Sequence, residues 1–206
     1  MTRVNRVGAA AAVLGPALLF VYYWSEEAFG PSQPNGGPLR GALGIQLITG
    51  ALICFAIALL RLRAEGLNGD SRTARLSTWL GRLAVGLLLI GSALWWPILF
   101  YWPDFGPVAG APVALGLLTF LGTWFLVGLG PVRERDLFGW ARPLPLGLFA
   151  LFFLLLYVTG TGSSWPVVAA VLGVFSLGWL LLAYVMQAGR ISERAEATPV
   201  ASPRMH

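Results

Sequence analysis

Four residues of this chain carry side-chain chemistry that a ligand site would need: Gln46, Glu26, Trp102 and Asp104. Carboxylates beside aromatic faces hold an organic cation, because the ring quadrupole and the negative charge both attract it. Glu26, Glu27 and Asp104 stand among Trp24, Trp95, Trp96, Tyr101, Trp102 and Trp165, all near one edge of the apolar stretches described below. An aromatic belt at lipid headgroup level accounts for the same rings without a ligand, and it is the simpler explanation. Trp79, Trp140 and Tyr184 mark the opposite edge in the same way. Gln46 differs, because it sits inside an apolar stretch with an amide whose donors and acceptor all need partners. It reads as a solute contact in a cavity or, more simply, as a hydrogen bond between helices. Thr49, Ser92, Thr119, Thr123 and Ser176 can bond the carbonyl one turn back, so they receive no site role.

Much other chemistry is absent. The only histidine, His206, is the last residue, which leaves no internal haem or zinc pair and no Ser-His-Asp set. There is no HExxH sequence and no phosphate-binding glycine loop. No Asp, Glu, Lys, Arg or His lies within the apolar stretches, where ion-coupling and proton-relay residues are normally found. Proton pumping, haem electron transfer and zinc proteolysis are therefore disfavoured, and no cofactor or metal is expected. Cys54, the only cysteine, has no disulfide or CxxC partner and reads as a small apolar residue in its span.

The elements that must position these residues are defined by the charge-free runs Val7 to Ser25, Gly41 to Leu60, Leu83 to Pro103, Phe105 to Val132 and Pro143 to Gly189. A helix needs about 20 mostly apolar residues to cross a bilayer core of roughly 30 Å. The last run is broken by Thr159-Gly160-Thr161-Gly162-Ser163-Ser164-Trp165-Pro166 and reads as two spans. The spacing predicts an all-α membrane protein, a six-transmembrane-helix bundle. Its spans run from Val7 to Trp24, Gly41 to Leu60, Leu83 to Tyr101, Val108 to Leu129, Leu144 to Val158 and Val167 to Gln187. The transmembrane domain then covers residues 1–190, and residues 191–206 form a mobile cytoplasmic tail. With 57% hydrophobic and 11% charged residues and a mean hydropathy of +0.73, the chain has no room for a separate soluble domain. Arg3 and Arg6 before the first run imitate a signal peptide, but Tyr22-Tyr23-Trp24 is a poor cleavage site, so an uncleaved first helix is expected.

All 14 basic residues are arginine. They gather at the first tail, the second and fourth connections and the last tail, while the opposite side holds Arg40 with Glu26, Glu27 and Asp104. Positive short loops stay in the cytoplasm, which puts both termini there in a multi-pass protein of the cell membrane. The net charge of +5 is thus explained by the lipid bilayer, and no nucleic acid is expected.

Two internal patterns bear on assembly. Ala42-Leu43-Gly44, Gly50 and Arg61-x-Arg63 recur without a gap as Ala114-Leu115-Gly116, Gly122 and Arg133-x-Arg135. Tyr22-Tyr23-Trp24 leading to Phe29-Gly30-Pro31 likewise rhymes with Phe100-Tyr101-Trp102 leading to Phe105-Gly106-Pro107. Three tandem helical hairpins would explain these matches, as would the general bias of spans toward Leu, Ala, Gly and terminal Arg. The small-residue seam Gly106-x-x-x-Gly110-x-x-x-Ala114 suits close helix approach within a bundle or between subunits. Function is then weighed between a non-enzymatic membrane component with a membrane-protein partner and a permease or channel for a small neutral or lipid-like solute. The first is preferred, because no buried charge is present. A lipid-directed enzyme is the least favoured, for want of paired acid and base groups.

Overall fold

A computed structural model describes residues 3–29, 37–64, 72–101, 106–134 and 143–197. They form six helices: α1 (Arg3–Phe29), α2 (Gly37–Ala64), α3 (Arg72–Tyr101), α4 (Gly106–Glu134), α5 (Leu144–Gly160) and α6 (Trp165–Ala197). Five of them, all except α5, are long and apolar enough to cross a membrane. At 17 residues, α5 is about 25 Å long at 1.5 Å per residue. It falls short of a roughly 30 Å hydrocarbon core by about one helical turn.

The helices extend beyond the apolar runs. Arg72, Arg75 and Arg82, expected in the second connection, lie within α3. Likewise α6 continues past Gly189 to Ala197, so the first part of the expected tail is helical. The physical reason is common to both: Arg, Leu, Ala and Glu are good helix formers, and a helix does not have to stop where the hydrocarbon does. Helical structure also runs unbroken past Pro16 and Pro97.

Each helix packs against its neighbours in sequence, α6 returns to α1, and α2 also meets α4. A glycine notch stands at every step of this ring. An added Cβ at Gly15 would lie 2.4 Å from the Phe55 ring, joining α1 to α2. At Gly81 it would lie 2.7 Å from Leu60, joining α3 to α2. Gly116 and Gly91 receive Leu88 and Val113 between α3 and α4, with the neighbouring backbone as close as 3.1 and 3.0 Å. Gly128 takes Leu146, Gly178 takes Leu148, and Gly8 takes Met186, completing α4–α5, α5–α6 and α6–α1. In a membrane, where lipid tails are as apolar as the side chains, such close fit replaces the hydrophobic effect as the force between helices. The Gly106–Ala114 seam does something else. Gly110 has nothing within 4 Å of an added Cβ, and Ala114 is exposed.

The α5–α6 turn is closed by its own backbone. Ser163 N–H donates to the Val158 carbonyl at 3.1 Å and Gly162 N–H to that of Thr159 at 3.3 Å, with Gly162 at φ 66°. This is the Schellman arrangement, which requires a left-handed residue just past the helix and so favours glycine. The Ser164 carbonyl accepts from Val167 and Val168, starting α6, and Pro166 gives up no needed donor there.

Hairpin neighbours α1–α2, α3–α4 and α5–α6 all pack together. The outer rhyme, however, does not mark equivalent positions. Phe29 is the last residue of α1, whereas Gly106 is the first of α4. Gly44 faces Tyr22, so a matching register would set Gly116 opposite residue 100. Gly116 instead meets Leu88, about 18 Å away along α3 at 1.5 Å per residue.

Candidate functional site

The polar pair nearest a site is Gln46 on α2 with Ser92 on α3. Gln46 Nε2 donates to the Ser92 carbonyl at 2.9 Å, and Ser92 Oγ donates to Gln46 Oε1. One residue thus occupies both ends of the amide. Pro97 has no N–H for the carbonyl four residues back, at Ala93, so α3 is weakened next to Ser92. Gln46 supplies an external donor at this weak turn and ties α3 to α2. A solute reaching Gln46 would have to compete with Ser92.

Thr49, Thr123 and Ser176 behave as their types suggest. Their hydroxyls donate to Ile45, Thr119 and Leu172 carbonyls at 2.6, 2.8 and 2.7 Å, one turn back along their own helices. Thr119 does the same toward Leu115 and Gly116, at 2.9 and 3.0 Å.

Of the cation-site candidates, Glu26 falls in the last turn of α1, but its side chain lies outside the described residues, as do Trp102 and Asp104 entirely. The aromatic members that are described behave differently from one another. Trp24 and Tyr101 are exposed, Tyr101 at 75%. Trp165 is half-buried against the core, and Trp95 is half-buried with its indole N–H enclosed and without a hydrogen-bond partner. Tyr23 of α1 lies near Thr159 at the end of α5, whose hydroxyl donates to the Leu155 and Leu156 carbonyls at 2.8 and 3.1 Å. Among the described residues, no three His, Cys, Asp or Glu side chains gather as a metal group would require.

The largest organised cluster was not singled out by its sequence pattern. Phe55 of α2, Phe120 and Trp124 of α4, Phe152 of α5, and Phe175 and Trp179 of α6 meet in the middle of the bundle, and all are buried. Phe55 stacks on Trp179 with centroids 4.5 Å apart and planes 20° off parallel. Phe175 stands edge-on to Phe55 at 5.6 Å and 89°. Trp124 touches every other ring of this group, at centroid distances from 5.3 to 6.3 Å. Its indole N–H donates to the Pro145 carbonyl at 3.0 Å, fixing α4 to the first turn of α5. Trp179 is fully buried without any hydrogen-bond partner for its N–H. The available signal was positional and confined to Trp179, which falls well inside its span, away from the headgroup levels where a belt would put it.

Chemically, the arrangement is a buried aromatic nucleus with one tied polar pair near α3's weak turn. It offers packing, with no acid, base or nucleophile among its members. Comparison with known family models, curated proteins and solved structures gives no match to this chain.

Proposed function

We propose that this protein is a non-enzymatic component of the cell membrane, an accessory subunit that crosses the bilayer six times and serves a membrane-protein partner. The observation that carries the reading is the aromatic nucleus. Phe55, Phe120, Trp124, Phe175 and Trp179 are fully buried where a central path for solute would have to run. A conduit lined by polar groups would instead leave unpaired hydroxyls and amides facing a cavity. Gln46, the strongest candidate for such a contact, is engaged by Ser92.

Six crossings with both termini cytoplasmic require α5 to span. Its length is compatible with that role, because a shortfall of one turn is met by local bilayer thinning at modest cost. Its position between α4 and α6 supports it too.

Native mass spectrometry after gentle detergent extraction from the source membrane tests the functional proposal. A stoichiometric protein partner is expected. A chain that carries only itself and a retained small solute would overturn the proposal in favour of a permease.

A further inference from the structure

We infer that the outward ridge at the start of α3 binds the headgroup of an anionic glycerophospholipid, with Arg75 and Arg82 holding its phosphate on either side of Trp79. The segment from Arg72 to Arg82 reads Arg-Thr-Ala-Arg-Leu-Ser-Thr-Trp-Leu-Gly-Arg and contains no acidic residue. Arg75 and Arg82 are exposed, and Trp79 between them is 71% exposed. At about 100° per residue, Arg75, Trp79 and Arg82 share one side of α3. The side about half a turn away carries buried Ser77, Gly81, Ala84 and Leu88, which face the bundle. Among the described residues, the ridge therefore points away from the packed helices.

Depth sharpens the assignment. Leu83 begins the uncharged stretch of α3, so Arg82 is its last charge before hydrocarbon. Its stem must extend back toward the headgroups, as arginine does at helix ends. Arg75 lies about 10 Å farther along the helix axis, at 1.5 Å per residue. Arg75 and Arg82 stand on either side of Trp79 along the axis, so a phosphate at the level of its amphipathic ring, which belongs at the headgroup layer, is within reach of both long side chains. Guanidinium pairs bind phosphate oxygens with matched geometry. One turn deeper, Gly86 has nothing within 4 Å of an added Cβ, between exposed Leu83, Leu89 and Ile90. This notch gives an acyl chain room beside the helix. Charge complementarity selects an anionic lipid over a zwitterionic one, and the apolar continuation of the ridge selects a lipid over a soluble phosphate.

The leaflet occupied rests on the topology proposed above, but binding itself does not, so detergent-solubilised protein separates the two. The full chain is titrated with phosphatidylglycerol or phosphatidylcholine, and retained lipid is read by native mass spectrometry. Preferential retention of phosphatidylglycerol is expected. The double variant Arg75→Gln/Arg82→Gln is expected to weaken it about thirtyfold, the loss of two basic groups near an anionic surface. Arg72→Gln, about 10 Å from Trp79 along the helix axis at 1.5 Å per residue and so outside the phosphate position, should change retention less than Arg82→Gln. Arg82→Gln alone, at an exposed position, serves if the double variant does not fold, and should weaken retention about fivefold. Equal retention of the two lipids by the wild type, or undiminished retention by the arginine variants, would overturn the inference.

Discussion

Gln46 and Trp124 show how one side chain serves two helices at once. Gln46→Leu removes both bonds to Ser92, whose hydroxyl can then turn to its own helix. The expected cost is about 0.6–2 kcal/mol, the usual worth of such bonds between membrane helices, read as a lowered unfolding temperature in detergent. Solute flux in proteoliposomes should be unchanged, and a selective loss of flux in a folded variant would argue for a conduit. For Trp124, Phe and Ala substitutions separate its bond from its bulk. Trp124→Phe loses the N–H to Pro145 and should cost about 1 kcal/mol. Trp124→Ala opens a void among its ring neighbours and should cost about 3–5 kcal/mol. Equal costs would mean that packing at this ring contributes little.

Among elements, the glycines divide into those that receive a neighbour and those that face outward. Gly116→Ala would press its Cβ against Leu88 at 2.9 Å and the backbone at 3.1 Å, so a loss of about 1–3 kcal/mol is expected. Gly173 has nothing within 4 Å of an added Cβ, and Gly173→Ala should be neutral or raise helix stability by up to about 1 kcal/mol. Thermal unfolding of the two variants side by side tests the distinction. Helices α1 to α4 and α6 were legible in the chain because charge-free length is a strong signal. Their ends were less so: Arg72, Arg75 and Arg82 read as loop residues because charge marks the membrane edge and says nothing about where hydrogen bonding stops. The Gly106–Ala114 seam shows the same limit. Spacing tells that small residues share a helix face, but which way that face turns depends on neighbours from distant sequence.

For the whole molecule, orientation is the property that charge placement predicts most directly. Single cysteines placed at Ser32 and Ser71 in a Cys54→Ala background should be labelled by impermeant thiol reagents from opposite sides of the membrane. Labelling from the same side would refute the arrangement of α1 to α3. A third cysteine at Ser163, in the α5–α6 turn, should be labelled with Ser32, and labelling with Ser71 would mean that α5 does not cross. The apolar character of α5 was plain, whereas its adequacy as a span was not, since 17 helical residues fall at the lower edge of what crosses. The central cluster was hidden for a different reason. Its rings come from α2, α4, α5 and α6, and no periodicity within one helix shows that they converge.

The closed ring also has a consequence in time. As ribosomal synthesis delivers the spans one by one, α2 to α5 can each settle on a predecessor already inserted. The contact of α6 with α1 must wait until α6 itself has been made. Until then, Phe55 lacks its stacking partner Trp179 and its edge-on partner Phe175. An arrested nascent chain ending before Trp165 therefore leaves the nucleus open to lipid, a lesion that membrane proteases can recognise. In a pulse-chase experiment, such a truncation should decay faster than the chain that includes α6, because α6 is the helix that closes the ring.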